Sequence, residues 1–107
     1  MKLEIFAVHD VKAEAWLQPF FAMTVGVAVR MFEQACNEET HDMHRHAEDY
    51  TLFHVGTFHQ DNGQIVPLEV LVPLGSAMQF RKVEMIPSMG RMETPNLAEE
   101  EVKKNGA

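Results

Sequence analysis

The sequence predicts an α+β domain of β-α-β-β order, with one amphipathic helix lying on a small, mostly antiparallel sheet. Three observations carry this. A period-2 segment stands at residues 2–9, a 3.6-residue apolar stripe begins at Val25, and Asp61-Asn62-Gly63 separates two segments rich in β-branched residues. With 107 residues and 46% hydrophobic content, the chain has material for one core. Residues 1–86 are read as that domain and residues 87–107 as a mobile acidic C-terminal tail.

In the first strand, Leu3, Ile5 and Ala7 alternate with Lys2, Glu4, Phe6 and Val8, which suits one well-buried face. Residues 10–21 form an aromatic-rich connector, with a short helical turn expected before Pro19, whose ring disfavours helix at Gln18. The helix follows: Val25, Ala28, Val29, Phe32, Ala35 and Cys36 share one stripe, Thr24 is the natural N-cap, and Asn37 marks the exit after about thirteen residues. Arg30, Glu33 and Gln34 fall on the solvated side.

Residues 39–49 are polar, without apolar periodicity, and read as an exposed loop. Residues 50–59 make the second strand and residues 64–72 the third. Pro67 cannot donate to a ladder and Pro73 should end the run, so the third strand belongs at an edge or pairs only over its first half. A short strand or helix is expected over residues 78–86. Three strands covered by one helix leave the other sheet face short of cover, which a homodimer would supply.

Composition excludes several functions. The single cysteine, Cys36, has no disulfide partner within the chain, and no leader or long apolar span is seen, so a soluble protein without membrane association is expected. Net charge is -7, and up to Gly75 there are four basic residues, Lys2, Lys12, Arg30 and Arg45, against eleven acidic ones. Such a body cannot coat phosphate broadly, so any DNA contact must be local or made by stacking. Cys36 sits on the apolar helix stripe and the only serines are Ser76 and Ser88, so no nucleophile with a base is indicated. Gly26 and Gly56 stand alone, with no phosphate cradle around them. The chain is therefore read as a binding protein, not an enzyme, with no cofactor.

His41, His44 and His46 are the only metal candidates, joined at most by His9, His54 or Cys36, and their spacing fits no standard signature. His54 and His59, five apart in a strand, are expected on opposite faces as packing residues. Eight methionines, four of them at positions 78, 85, 89 and 92, could form an adaptable contact surface or simply a loosely patterned end. Trp16, Phe20 and Phe21, with Phe53 and Phe58 on the sheet, could stack on unpaired bases or seal the helix against the sheet.

The runs Met1-Lys2-Leu3-Glu4-Ile5-Phe6-Ala7-Val8, Lys12-Ala13-Glu14-Ala15 and Gln18-Pro19-Phe20-Phe21 come first in order. They are followed by His46, Glu48-Asp49-Tyr50, Leu52, His54-Val55-Gly56 and Phe58. Together they resemble the small non-structural protein of gokushovirus-type Microviridae phages over residues 1–72. The resemblance implies a protein of the infected host's bacterial cytoplasm, absent from the finished capsid, with a role in single-stranded DNA genome synthesis or packaging. It supplies no catalytic residues. The expected nucleic-acid-binding residues are Lys12, Trp16, Phe20, Phe21, Arg30 and Arg45, acting in a homodimer on single-stranded DNA. The alternative is a regulator that binds a phage or host replication or capsid protein without touching DNA.

Overall fold

The computed structural model describes residues 1–82. Its elements run β1 (Lys2–Asp10), β2 (Ala15–Trp16), β3 (Phe20–Ala22), α1 (Val25–Cys36), α2 (Asp42–Arg45), a 3-10 turn (Ala47–Asp49), β4 (Tyr50–His59), β5 (Gln64–Ser76) and α3 (Ala77–Phe80). The class is α+β, with a five-stranded, wholly antiparallel sheet of order β2-β1-β4-β5, and β3 pairs beside β2 on the free edge of β1.

The connector forms two short strands instead of the expected helical turn. Asp10 accepts the backbone N–H groups of Lys12 and Ala13 at 3.0 and 3.2 Å, which closes a turn. Glu14, at φ 53°, then reverses the chain so that Trp16 pairs with His9. Pro19 separates this strand from β3, in which Phe20, Phe21 and Ala22 pair with Phe6, Ile5 and Glu4.

Thr24 caps α1 as its sequence position requires, its Oγ1 accepting the Val27 N–H at 3.2 Å. The helix buries Ala28, Phe32 and Cys36 against Phe6, Val8 and Leu52 of the sheet. At its exit Asn37 works in two directions. Its Nδ2 donates to the carbonyls of Glu33 and Phe80, at 2.9 and 3.0 Å, and its Oδ1 accepts the Lys82 N–H at 2.7 Å. That tie packs Phe80 edge-on against Phe32 with centroids 5.8 Å apart.

Residues 39–49 are not a simple exposed loop. Two short helical turns bury Met43 and Ala47 in the core. His41 Nδ1 accepts the Met43 N–H at 3.1 Å and caps α2, His44 Nδ1 lies 3.0 Å from the Cys36 carbonyl, and Arg81 donates to the His44 carbonyl at 2.8 Å. Polar side chains close their own backbone here, which hydropathy periodicity cannot register.

The β4–β5 hairpin turns at Gly63, φ 75°, with the Gln64 N–H bonded to Asn62 Oδ1 at 2.9 Å. β5 is an edge strand as expected, but it does not stop at Pro73: Phe53 pairs with Pro73 and Thr51 with Ser76. A register shift at Val55 also changes the histidines. Phe6 pairs with His54 and Ile5 with Gly56, so the extra residue inverts the alternation. Lys2 pairs with His59, which sets His54 and His59 on the same face, not opposite ones. His54 is a packing residue there, stacked on Phe6 at 5.0 Å with its Nε2 at 2.8 Å from Glu4 Oε1. Thr57 Oγ1 donates to the same carboxylate oxygen at 3.3 Å. The expected tail, and the part of residues 78–86 beyond Lys82, lie outside the described residues; α3 accounts for the start of that segment.

Candidate nucleic-acid interface

The helices all lie on the sheet face that carries Phe6, Val8 and Leu52. The opposite face bears Leu3, Ile5, Ala7 and His9 of β1, by alternation along the strand. Cross-strand pairing adds Trp16 beside His9, Phe21 beside Ile5, Phe53 beside Ala7 and Phe58 beside Leu3. The His9 and Trp16 rings are 4.7 Å apart, Trp16 and Phe53 5.0 Å in an edge contact, and Phe21 and Phe58 5.7 Å, also edge-on. Ile5 and Ala7 are buried beneath this aromatic fringe although no second layer of described residues covers them, while Trp16 and Phe21 remain 46% and 45% exposed. The paired positions on this face include no Lys, Arg, Asp or Glu. Uncharged β1–β4 positions with two exposed aromatic groups suit π-faces of bases or apolar side chains better than phosphates.

The six expected binding residues divide. Trp16 and Phe21 share the open face. Phe20, one residue from Phe21, points the other way and stacks on Phe6 at 5.7 Å, lining an apolar groove of about 290 Å³ with Leu17, Met31 and Met43. Lys12 stands in the β1–β2 turn beside Asp10, His46 and Asp49. Arg30 lies on the outer side of α1 with Glu33, Asn37 and Lys82. Arg45 pairs with Asp42 and donates to the Thr40 carbonyl at 3.2 Å; an exposed pair of this kind contributes about 1 kcal/mol at most. Lys12, Arg30 and Arg45 are thus dispersed, and among the described residues no single strip gathers them with the aromatics.

The metal candidates also separate. His41 and His44 are engaged with backbone groups, while the donor atoms of His46, Glu48 and Asp49 lie within 4.8 Å of one another at the surface. The neighbouring Tyr50 hydroxyl has its pKa raised by burial first, then by the carboxylates of Asp10, Asp42 and Asp49. Cys36 is fully buried, and desolvation with a lesser contribution from Glu33 pushes its thiol up to about 11. It therefore stays protonated and unreactive at neutral pH.

Sequence reasoning passed over His9 as part of the aromatic platform. The signal that could have found it is its parity with Ile5 and Ala7, which only becomes a shared surface once β2 and β3 are known to pair with β1. Among the described residues no helix is long and apolar enough to cross a membrane.

Comparison with known proteins yields one family. No curated protein and no solved structure matches the chain. A family model described as Phage ORF5 protein matches residues 3–80, more than half of the 107 residues, and it spans every strand of the sheet together with α1, α2 and α3. The chain belongs to the Phage ORF5 protein family.

Proposed function

We propose that this protein is a non-structural accessory protein of a gokushovirus-type Microviridae phage, acting in the host cytoplasm without catalysis, and that it holds single-stranded DNA by stacking unpaired bases on the open sheet face. The observation that carries this reading is the exposed pair Trp16 and Phe21, braced edge-on by Phe53 and Phe58 on a face that no layer of described residues covers. Each base stacked on such a ring gains about 1–3 kcal/mol. Because the paired β1–β4 positions of this face are uncharged and Lys12, Arg30 and Arg45 are dispersed, binding should depend on salt with a shallow slope, equivalent to about one or two phosphate contacts.

Trp16 is the only tryptophan, so its emission reports on the platform directly. Titration with an unlabelled oligothymidylate at low salt should quench Trp16, and a labelled oligonucleotide should gain anisotropy over the same concentrations. Absence of both signals up to high micromolar protein overturns the reading. A second reading, regulation of a phage or host replication or capsid protein, is favoured by the same absence of charge, since an apolar face fits a protein surface as well as a base. It predicts that a phage or host replication or capsid protein changes Trp16 emission while the oligonucleotide leaves it unchanged.

A further inference from the structure

The 3-10 turn between α2 and β4 brings metal-ligating groups together at a place the open sheet face does not use. His46 closes α2, its N–H bonded to the Asp42 carbonyl at 2.8 Å, and its own carbonyl accepts the Asp49 N–H at 2.9 Å. Such a turn has three residues per revolution, so residues 46 and 49 stand one above the other with residue 48 beside them. The donor atoms of His46, Glu48 and Asp49 accordingly lie within 4.8 Å of one another. Their backbone is fixed from behind. Ala47 is fully buried, Tyr50 is 8% exposed, and the Val11 N–H holds the Asp49 carbonyl at 2.9 Å.

What the three groups lack is a counter-charge. Among the described residues the ion pairs are Arg45 with Asp42 and His54 with Glu4. Glu48 and Asp49 therefore converge without a cation between them, and His46 pairs directly with neither. Adjacent polar groups are engaged elsewhere: Asp10 accepts the Lys12 and Ala13 N–H groups, and His44 faces the Cys36 carbonyl. His46 and Asp49 open onto a cleft of about 270 Å³ that Asp10, Tyr50 and Lys12 also line. Lys12 is exposed there on a flexible stem, so its ammonium can turn away from an incoming cation.

Two carboxylates and one imidazole, without a thiolate, form a donor set suited to a borderline divalent cation. Calcium and magnesium take oxygen ligands instead. With zinc bonds of about 2.0–2.2 Å, tetrahedral donors stand about 3.4 Å apart. The side chains thus need to close by about 1.4 Å at most, and both His46 and Glu48 are exposed and able to rotate.

We infer that His46, Glu48 and Asp49 bind one transition-metal dication of the zinc type, with water completing its coordination. The bound ion would clamp the junction of α2 and β4, whatever the open sheet face holds.

Calorimetric titration of the full, untagged chain with zinc chloride in a non-chelating buffer tests this. One zinc per chain is expected, and magnesium chloride at the same concentrations should not displace it. His46→Gln should weaken binding at least about tenfold, because even residues that merely orient a ligand are worth about 10–100-fold. Glu48→Gln, at an exposed position, should weaken it as well, and both variants should keep the parent circular dichroism spectrum. His59→Gln, on the sheet, should bind zinc like the parent chain. Absence of binding up to millimolar zinc, equal displacement by magnesium, or a titration that His46→Gln and Glu48→Gln leave unchanged overturns the assignment.

Discussion

Phe20 and Phe21 are adjacent in the chain and face opposite sides of the sheet, so truncating each should damage a different property. Phe20→Ala removes a half-buried ring that stacks on the fully buried Phe6 at 5.7 Å and lines the groove under α1. A fully buried phenylalanine costs about 3–5 kcal/mol when cut to alanine, so a half-buried one with a stacking partner should cost about 2–3 kcal/mol. Phe21 is 45% exposed and touches Phe58 by an edge contact, so Phe21→Ala should cost about 1 kcal/mol of stability. Its effect on single-stranded DNA should be larger. Losing one stacked base, about 1–3 kcal/mol, weakens Kd by roughly 5- to 150-fold. Urea unfolding followed by far-UV circular dichroism gives the first quantity, and anisotropy on folded protein at low temperature the second. Phe20→Ala that keeps full stability and loses DNA affinity, or Phe21→Ala that binds as well as the parent chain, would refute the assignment of faces.

Three further outcomes follow from the packing. Cys36 should react with a disulfide reagent at pH 8 only as fast as the chain unfolds, with immediate labelling in urea; fast labelling of native protein would contradict its burial and its raised pKa. Stability should fall as pH rises past about 9. Cys36 is raised from 9.0 to about 11 and Tyr50 is raised from 10.0, so above the unfolded values the unfolded chain ionises more readily, and Tyr50→Phe should flatten part of the decline. Gly75→Ala should destabilise by about 1–3 kcal/mol in urea titration, because Gly75 has φ 145° and an added Cβ would stand 2.7 Å from the Phe80 ring; an unchanged midpoint would show that α3 packs differently.

Local chemistry made much of the fold legible. The Thr24 cap, the apolar stripe to Cys36 and the Asp61-Asn62-Gly63 turn each act over a few residues, so α1 and the β4–β5 hairpin stand where period and turn chemistry place them. The two short strands of the connector were hidden because Ala15–Trp16 and Phe20–Ala22 are too brief to show a period, and both exist only by pairing with β1, far closer in space than their spacing suggests. The polar segment around His41, His44 and His46 likewise folds through side-chain bonds to its own backbone and to the Cys36 carbonyl at the end of α1, which leave no hydrophobic trace.

The sequence alone determined an α+β class, an acidic body unsuited to broad phosphate contact and a set of aromatic residues with two possible uses. Only the tertiary structure decided which of these rings pack in the core and which stand exposed. Strand parity sends Phe20 into the core and Phe21 to the open face, and the register shift at Val55 brings His54 and His59 to one side. The physical reason is that one inserted residue exchanges the faces of a strand. That exchange depends on which residue of the neighbouring strand is paired, a long-range fact that no window of sequence contains.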